Sequence, residues 1–163
     1  MTRAYLGLGS NLGDRRALLR QAVEALDWGD VSVVERSRIY ETTPVGGPAG
    51  QPDFLNQVIA VETALDARGL WERCSAVEAT LGRSRDHEVR WGPRAIDIDV
   101  LTFGDVVVAE PDLEIPHPRM AERAFVLVPL AEIAPDLRID GLGAVAELAR
   151  DLGADGSVRP IEG

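Results

Sequence analysis

Hydrophobic positions along the chain fall into short segments whose period switches between two and about 3.6. Ala4 to Leu8 is an apolar run that reads as a buried strand, entering Gly9-Ser10-Asn11-Leu12-Gly13-Asp14. Leu18, Leu19, Ala22, Val23 and Leu26 then recur at helical spacing, with Ser10, Asn11 or Asp14 as the cap and Gly29 as the stop. Val31 to Tyr40 is predicted as one strand, anchored by Val31, Val33 and Ile39. From Thr42 to Pro52 three prolines and three glycines fall in eleven residues, a loop long enough to carry function. Phe54 to Glu62 resumes as a strand in which Phe54, Asn56, Val58 and Ala60 share one face. Asp66 caps a second helix with Leu70, Cys74, Val77 and Leu81 as its buried stripe, and Gly82 ends it.

The stretch from Arg83 to Phe103 departs from simple packing logic. Ile96, Ile98 and Val100 point one way and Asp97 and Asp99 the other, a period-two strand with one apolar and one acidic face. Carboxylates two residues apart on a strand lie roughly 7 Å from each other, so both can reach one cation. The preceding loop, interrupted by Gly92-Pro93, carries Arg83, Arg85, Arg90 and Arg94, and it places Trp91 just before the strand. Acids suited to Mg²⁺ beside arginines suited to phosphate are the parts of a metal–nucleotide site. An Asp-x-Asp face also occurs as a plain solvated surface paired with arginines. Four of 17 basic residues within twelve positions of an acidic chain favour the functional reading.

Downstream, Gly104-Asp105 reads as a hairpin turn into Val106-Val107-Val108, and Leu113 to Pro118 as extended chain whose prolines fix His117 on a stiff backbone. Phe125 to Ile133 and Gly143 to Leu152 are predicted helices, and the last residues a loose tail or a short edge strand. The order strand, helix, strand, strand, helix, strand predicts an α+β fold. It is a ferredoxin-like α/β sandwich, a mainly antiparallel sheet with helices packed on one face, forming a single domain over 1–163.

A net charge of −10 argues against nucleic-acid or membrane-surface partners and leaves small molecules. Every basic residue is Arg, which changes nothing in the chemistry. Cys74 is the only cysteine, so the sequence offers no disulfide framework and no thiolate metal site; it reads as a buried thiol. With no apolar run of membrane-spanning length, a cytoplasmic protein is expected. The glycines of Gly7-x-Gly9-x-x-x-Gly13 are spaced one residue too long for a dinucleotide fingerprint, and no Gly-Lys-Ser/Thr follows for a phosphate-cradling loop. An aromatic and an amide at the mouth of a strand, Phe54 and Asn56, can serve a flat heterocycle or simply pack and pair.

Tyr5 to Gly13, Gln51 to Asn56, Arg90-Trp91-Gly92-Pro93-Arg94-Ala95-Ile96-Asp97-Ile98-Asp99, and Ile115-Pro116-His117 with Arg123-x-Phe125 together resemble the 6-hydroxymethyl-7,8-dihydropterin pyrophosphokinase family. The resemblance runs from near Tyr5 to Pro135. It implies transfer of a diphosphoryl group from ATP to the pterin hydroxymethyl oxygen, with release of AMP, in folate biosynthesis. It also implies two Mg²⁺ ions and a monomer. By resemblance Asp97 and Asp99 hold both metals, and Glu78, Arg83, Arg85, Arg90, Arg94, Ile98, His117 and Arg123 belong to the ATP side. Arg85 and Arg94 with the two aspartates are the catalytic candidates. Thr42, Thr43, Pro44, Val45, Phe54, Asn56, Trp91, Asp97 and Phe125 belong to the pterin side, with Phe54 and Phe125 as the stacking rings. No side chain stands out as a general base; Asp97 is the nearest candidate.

Several positions differ from the family pattern. Asp86 replaces a common basic residue, the loop from Arg85 to Arg90 is one residue longer, Pro118 stands where tyrosine is common, and Phe54 replaces a tyrosine. Two other readings compete. A Mg²⁺-dependent glycosyltransferase would also use Asp-x-Asp but needs a larger nucleotide domain than 163 residues supply. A non-catalytic ferredoxin-like binding module would keep Phe54, Asn56 and Phe125 but has no use for paired acids facing arginines.

Overall fold

A computed structural model describes residues 1–43, 50–82 and 95–161. Its core begins with β1 (Thr2–Ser10), which leads through a turn into α1 (Arg15–Leu26). Of the three candidate caps Asp14 takes the position, its carboxylate accepting from Ala17 N at 3.1 Å. β2 (Val31–Arg36) and β3 (Tyr40–Thr42) follow, then β4 (Phe54–Thr63), α2 (Ala67–Thr80) and β5 (Asp97–Phe103). Asp66 caps α2 as expected, accepting from Gly69 N at 2.7 Å.

The strand expected from Val31 to Tyr40 is divided. At the division the Ser37 hydroxyl accepts from Val58 N at 3.0 Å and donates to Arg38 O at 2.7 Å, while Ser37 N donates to Val58 O at 2.8 Å. A side chain thus replaces one rung of the ladder, and the backbone turns between β2 and β3. The two halves pair with different ends of β4, Val31 opposite Thr63 and Thr42 opposite Phe54.

The sheet is antiparallel throughout its described pairs, with β1 at the centre between β4 and β5. This is the predicted split βαβ arrangement. The hairpin expected after Gly104 does not return to β5. Instead β6 (Val108–Glu110) pairs with β7 (Leu113–Ile115) as a separate ribbon, and the Ile115–Pro116 peptide beyond it is cis. The chain then forms a 3₁₀ turn at Met120–Glu122 and α3 (Ala124–Ile133). After these come the small ladder of β8 (Arg138–Ile139) with β9 (Gly143–Ala144), then α4 (Val145–Leu152), a 3₁₀ turn at Gly153–Asp155 and β10 (Val158–Pro160). Of the two expectations for the last residues, the edge strand holds, since β10 pairs with β3.

Both faces of the sheet are covered, which corrects the expectation of helices on one face. On the first, Leu19, Ala22, Val23 and Leu26 of α1 and Leu70, Cys74 and Val77 of α2 pack on Leu6, Leu8, Leu55, Ile59, Ile98 and Val100. On the second, Val126, Leu127 and Leu130 of α3 and Val145 and Ala149 of α4 pack on Val58 and Leu101. Leu101 lies on the side of Asp97 and Asp99, as alternation requires, and a bulge beyond it returns Phe103 to the first core: Leu6 opposes Val100 while Tyr5 opposes Thr102 and Ala4 opposes Phe103. α3 is nearly all apolar, so periodicity alone gave it no outer face; Glu132, accepting from Tyr40 Oη at 2.5 Å and Arg38 N at 3.0 Å, fixes how it sits over β3. Among the described residues no helix is long and apolar enough to cross a membrane.

Removing the Ser37 hydroxyl strands the buried Val58 N–H. Ser37→Ala is therefore expected to lower the unfolding free energy by about 1–3 kcal/mol, read from the denaturant midpoint at unchanged m-value.

Candidate active site

The register of three neighbouring strands, β4, β1 and β5, builds the site. Gly9 of β1 lies between Asn56 of β4 and Asp97 of β5; Gly7, two residues back, lies between Val58 and Asp99. Beside Asn56, Asp97 and Asp99, β1 presents no side chain. A Cβ on Gly9 would sit 3.0 Å from Asn56 Oδ1 and 3.5 Å from Phe54 Cδ1. These glycines shape a hollow and do not form a dinucleotide turn.

Over this floor lies a cavity of about 450 Å³. Asp97 and Asp99 of β5 line one side, near Arg119 and Arg123, Thr42 of β3 with Phe54 and Asn56 of β4 line the other, and Thr43 and Phe125 complete the lining. The alternation of β5 is as predicted: Ile96, Ile98 and Val100 are in the first core, and both aspartates are half-buried on the cavity side. Asn56 is only 5% exposed, and its amide nitrogen donates to Thr42 Oγ1 at 2.7 Å, so two polar groups on neighbouring strands hold each other in place. The Arg123 guanidinium lies over the Phe125 ring at 5.6 Å.

β5 is the outermost strand on its side of the sheet, and its Ile98 N–H goes to a side chain instead of a further strand. Glu78 Oε2, reaching up from α2, accepts it at 2.8 Å, with Glu78 only 4% exposed. This buried carboxylate fixes the peptide between the two aspartates. Burial, with Glu78 and Asp99 close by, pushes the Cys74 thiol up and keeps it protonated, in agreement with its expected inert role.

His117 N donates to Leu101 O at 2.9 Å, which docks the proline-bounded segment against β5. His117 Nδ1 accepts from Arg119 N at 3.2 Å, leaving the ring proton on Nε2, 4.0 Å from Asp99 Oδ2. Burial first, and the neighbouring Arg123 and Arg119 guanidiniums, push the imidazole pKa down to about 4 against the opposing pull of Asp97. At pH 7 the ring is neutral.

Thus Thr42, Thr43, Phe54, Asn56, Asp97, Asp99, Arg123 and Phe125 line one cavity, with His117 at its acid end and Glu78 and Ile98 behind it. The expectations for Pro44, Val45, Arg83, Arg85, Arg90, Trp91 and Arg94 lie outside the described residues. The sequence reading did not single out Gly7 and Gly9 as the cavity floor, nor Arg119, Leu152, Asp155, Ser157 and Val158 in its walls. Glycine at alternate positions of a strand was the available signal for the first pair. Nothing local marked the second group, which reaches the site only through the fold.

Two carboxylates on one strand face are a sufficient protein ligand set for Mg²⁺, which keeps several waters and takes its remaining ligands from phosphates. Among the described residues no group of three or more His, Cys, Asp or Glu side chains gathers as a closed metal cage. The donor set fits a substrate-bridging ion.

Residues 5–135 match the family model described as 7,8-dihydro-6-hydroxymethylpterin-pyrophosphokinase. Curated relatives named 2-amino-4-hydroxy-6-hydroxymethyldihydropteridine pyrophosphokinase include one from Methylorubrum extorquens, 54% identical over 142 residues, covering 86% of this chain and 88% of the relative. Another, from Bacillus subtilis, is 46% identical over 142 residues, covering 86% and 83%. The fold is similar to that of a Plasmodium falciparum HPPK-DHPS crystal structure with pterin and p-hydroxybenzoate. There the TM-score is 0.75 at 15% identity, covering 98% of this chain and 45% of the larger one.

Gly9→Ala, whose methyl group meets Asn56 and Phe54, is expected to destabilise the fold by roughly 1–3 kcal/mol. Gly7→Ala meets only the flexible end of Leu101, at 3.4 Å, and should be milder in the same denaturation series. Equal effects would contradict the geometry. For His117 the folded pKa lies below the unfolded value of about 6.5, so on acidification the unfolded chain takes the proton first. Stability should fall as the pH drops from 6.5 towards 4, and urea titrations of His117→Gln should lack that part of the slope.

Proposed function

The chain belongs to the 7,8-dihydro-6-hydroxymethylpterin-pyrophosphokinase family, and we propose that it transfers the diphosphoryl group of ATP to the hydroxymethyl oxygen of 6-hydroxymethyl-7,8-dihydropterin. The observation that supports this reading above all is the division of one cavity. Paired aspartates on β5 stand on one side with arginines near them, Phe54 and a fixed Asn–Thr pair on β4 and β3 stand on the other, and Phe125 lines the same space. A polyphosphate suits the first side and a flat heterocycle with a polar edge suits the second.

In this reading the pterin lies between Phe54 and Phe125, with Asn56 and Thr42 hydrogen-bonding its edge. That pose points the hydroxymethyl oxygen towards Asp97. Arg123 and Arg119, with Arg85 and Arg94 as further candidates, bind the phosphates, and His117 contributes as a neutral Nε2–H donor. Attack by the hydroxymethyl oxygen forms a bond to the β-phosphorus. The bond from the β-phosphorus to the bridging oxygen of the α-phosphate breaks, and AMP departs with that oxygen. The hydroxyl proton leaves towards the nearest acceptor, for which Asp97 is the candidate. Mg²⁺, two ions by resemblance to the family, would be held by Asp97 and Asp99 and would neutralise phosphate charge when bound. Glu78 keeps those aspartates in register through Ile98. We place the protein in the cytoplasm as a monomer acting in folate biosynthesis.

Incubation with MgATP and the pterin, analysed by anion-exchange chromatography, should yield AMP in amounts equal to the pterin diphosphate. Formation of ADP would refute diphosphoryl transfer. Asp97→Ala and Asp99→Ala should each lower turnover by about 10²-fold or more, the scale of losing a charge-stabilising group. Near-normal rates in both variants would refute the metal assignment.

A further inference from the structure

The family match ends at residue 135, yet the chain beyond it does not trail away from the site. Leu152, Asp155, Ser157 and Val158 line the same cavity as Phe54, Asn56 and Phe125. β10 extends the sheet at this rim, with Val158 opposite Thr42 and Ile161 N donating to Ile39 O at 2.9 Å. The next residue after Val158 faces the other way along the rim. Arg159 Nη2 lies 3.5 Å from Glu41 Oε1 and 3.4 Å from Asp53 Oδ2.

Those two acids occupy equivalent places. Glu41 immediately precedes Thr42, and Asp53 immediately precedes Phe54, so Arg159 joins the strand ends that carry an edge-reading hydroxyl and a stacking ring. Arg15, at the start of α1, reaches the same pair from the other side, donating to Asp53 O at 2.8 Å and lying 3.6 Å from Glu41 Oε2. The end of β3 and the residue before β4 are thereby tied to each other. The 3₁₀ turn before β10 is also anchored. Gly153 packs so closely on α3 that a Cβ there would come 2.9 Å from Val128 Cγ2, one helical turn after Phe125. Asp155 Oδ1 accepts from Ser157 N at 2.9 Å, which orients the turn, and hydrogen bonds from Ser157 hold the Asp155 carboxyl below its ordinary range, so it is ionised at neutral pH.

We propose that segment 152–161 is a working part of the pterin half of the site. Its turn supplies the outer wall against the heterocycle, and Arg159 is a positioning residue that sets the spacing of Thr42 and Phe54. The proposal rests on the pyrophosphokinase reading above. It adds residues outside the matched region and assigns them to the pterin and not to the nucleotide, because β10 adjoins Thr42 of β3 at the edge of the sheet opposite β5, which carries the aspartates.

The test uses the full chain with Arg159→Ala, Arg159→Lys, Asp155→Ala and the Asp155→Ala/Arg159→Ala double variant. Pterin affinity is measured by fluorescence titration, nucleotide affinity with a non-hydrolysable MgATP analogue, and fold integrity by circular dichroism melts. The expected result is a pterin Kd raised about 3-fold or more in each alanine variant and about 10-fold in the double variant, with nucleotide Kd unchanged within about 2-fold. The KM for pterin should rise in step while kcat at saturation holds, and Arg159→Lys should recover part of the loss. Unchanged pterin affinity in the double variant overturns the proposal, as does an equal loss of nucleotide affinity. Failure of the unaltered chain to bind the pterin would instead overturn the functional reading on which the proposal stands.

Discussion

The phase of β5 is the constraint on which the site depends. A strand offers its side chains alternately to two faces, and a slip of one residue would exchange them all. Here such a slip would carry Asp97 and Asp99 into the core between α1 and α2 and bring Ile98 into the cavity. Burying two uncompensated carboxylates costs far more than any local rearrangement could return. The apolar packing of Ile96, Ile98 and Val100 therefore fixes the orientation of the acids, and Glu78 reinforces it by accepting from the peptide between them. The core of the protein and the chemistry of its cavity are opposite sides of one strand.

That strand also explains the two-sided architecture. The face covered by α1 and α2 is a conventional core. The opposite face cannot be fully covered, because the cavity must open there, and α3 and α4 pack only over Val58 and Leu101 at one end. On this face of β5 Leu101 follows Asp97 and Asp99 in phase and marks the boundary between the part that faces the cavity and the part that faces α3. Glu132 then fixes α3 over β3, and Phe125 at the start of the helix lines the same cavity as Phe54.

Much of this was legible in the sequence, for identifiable reasons. The βαββαβ order followed from period changes, the cap of α2 from Asp66, and Asp14 was one of three cap candidates for α1. The two faces of β5 followed from strict alternation. What failed to show was non-local. The break at Ser37 depends on a hydroxyl meeting Val58 of another strand, and the separate β6–β7 ribbon depends on where the chain goes after Asp105. The covering of the second face rests in part on α3, a helix too uniformly apolar to reveal a direction. Glu78 was expected at the nucleotide side, and its bond to Ile98 could not be read from a helix position alone. The outer wall from Leu152 to Val158 carries no local motif at all.

A floor made of main chain has a consequence for how the cavity can change. Most ligand sites drift by exchanging one side chain for another of different size. At Gly7 and Gly9 there is no side chain to exchange, and adding one at Gly9 strikes the amide and ring that line the aromatic end. A small molecule resting chiefly on this floor would leave the protein few substitutions by which to escape it while keeping its own ligand. Escape from a molecule that leaned on Asp155 and Ser157 of the outer wall would be easier, since those side chains are exposed and replaceable.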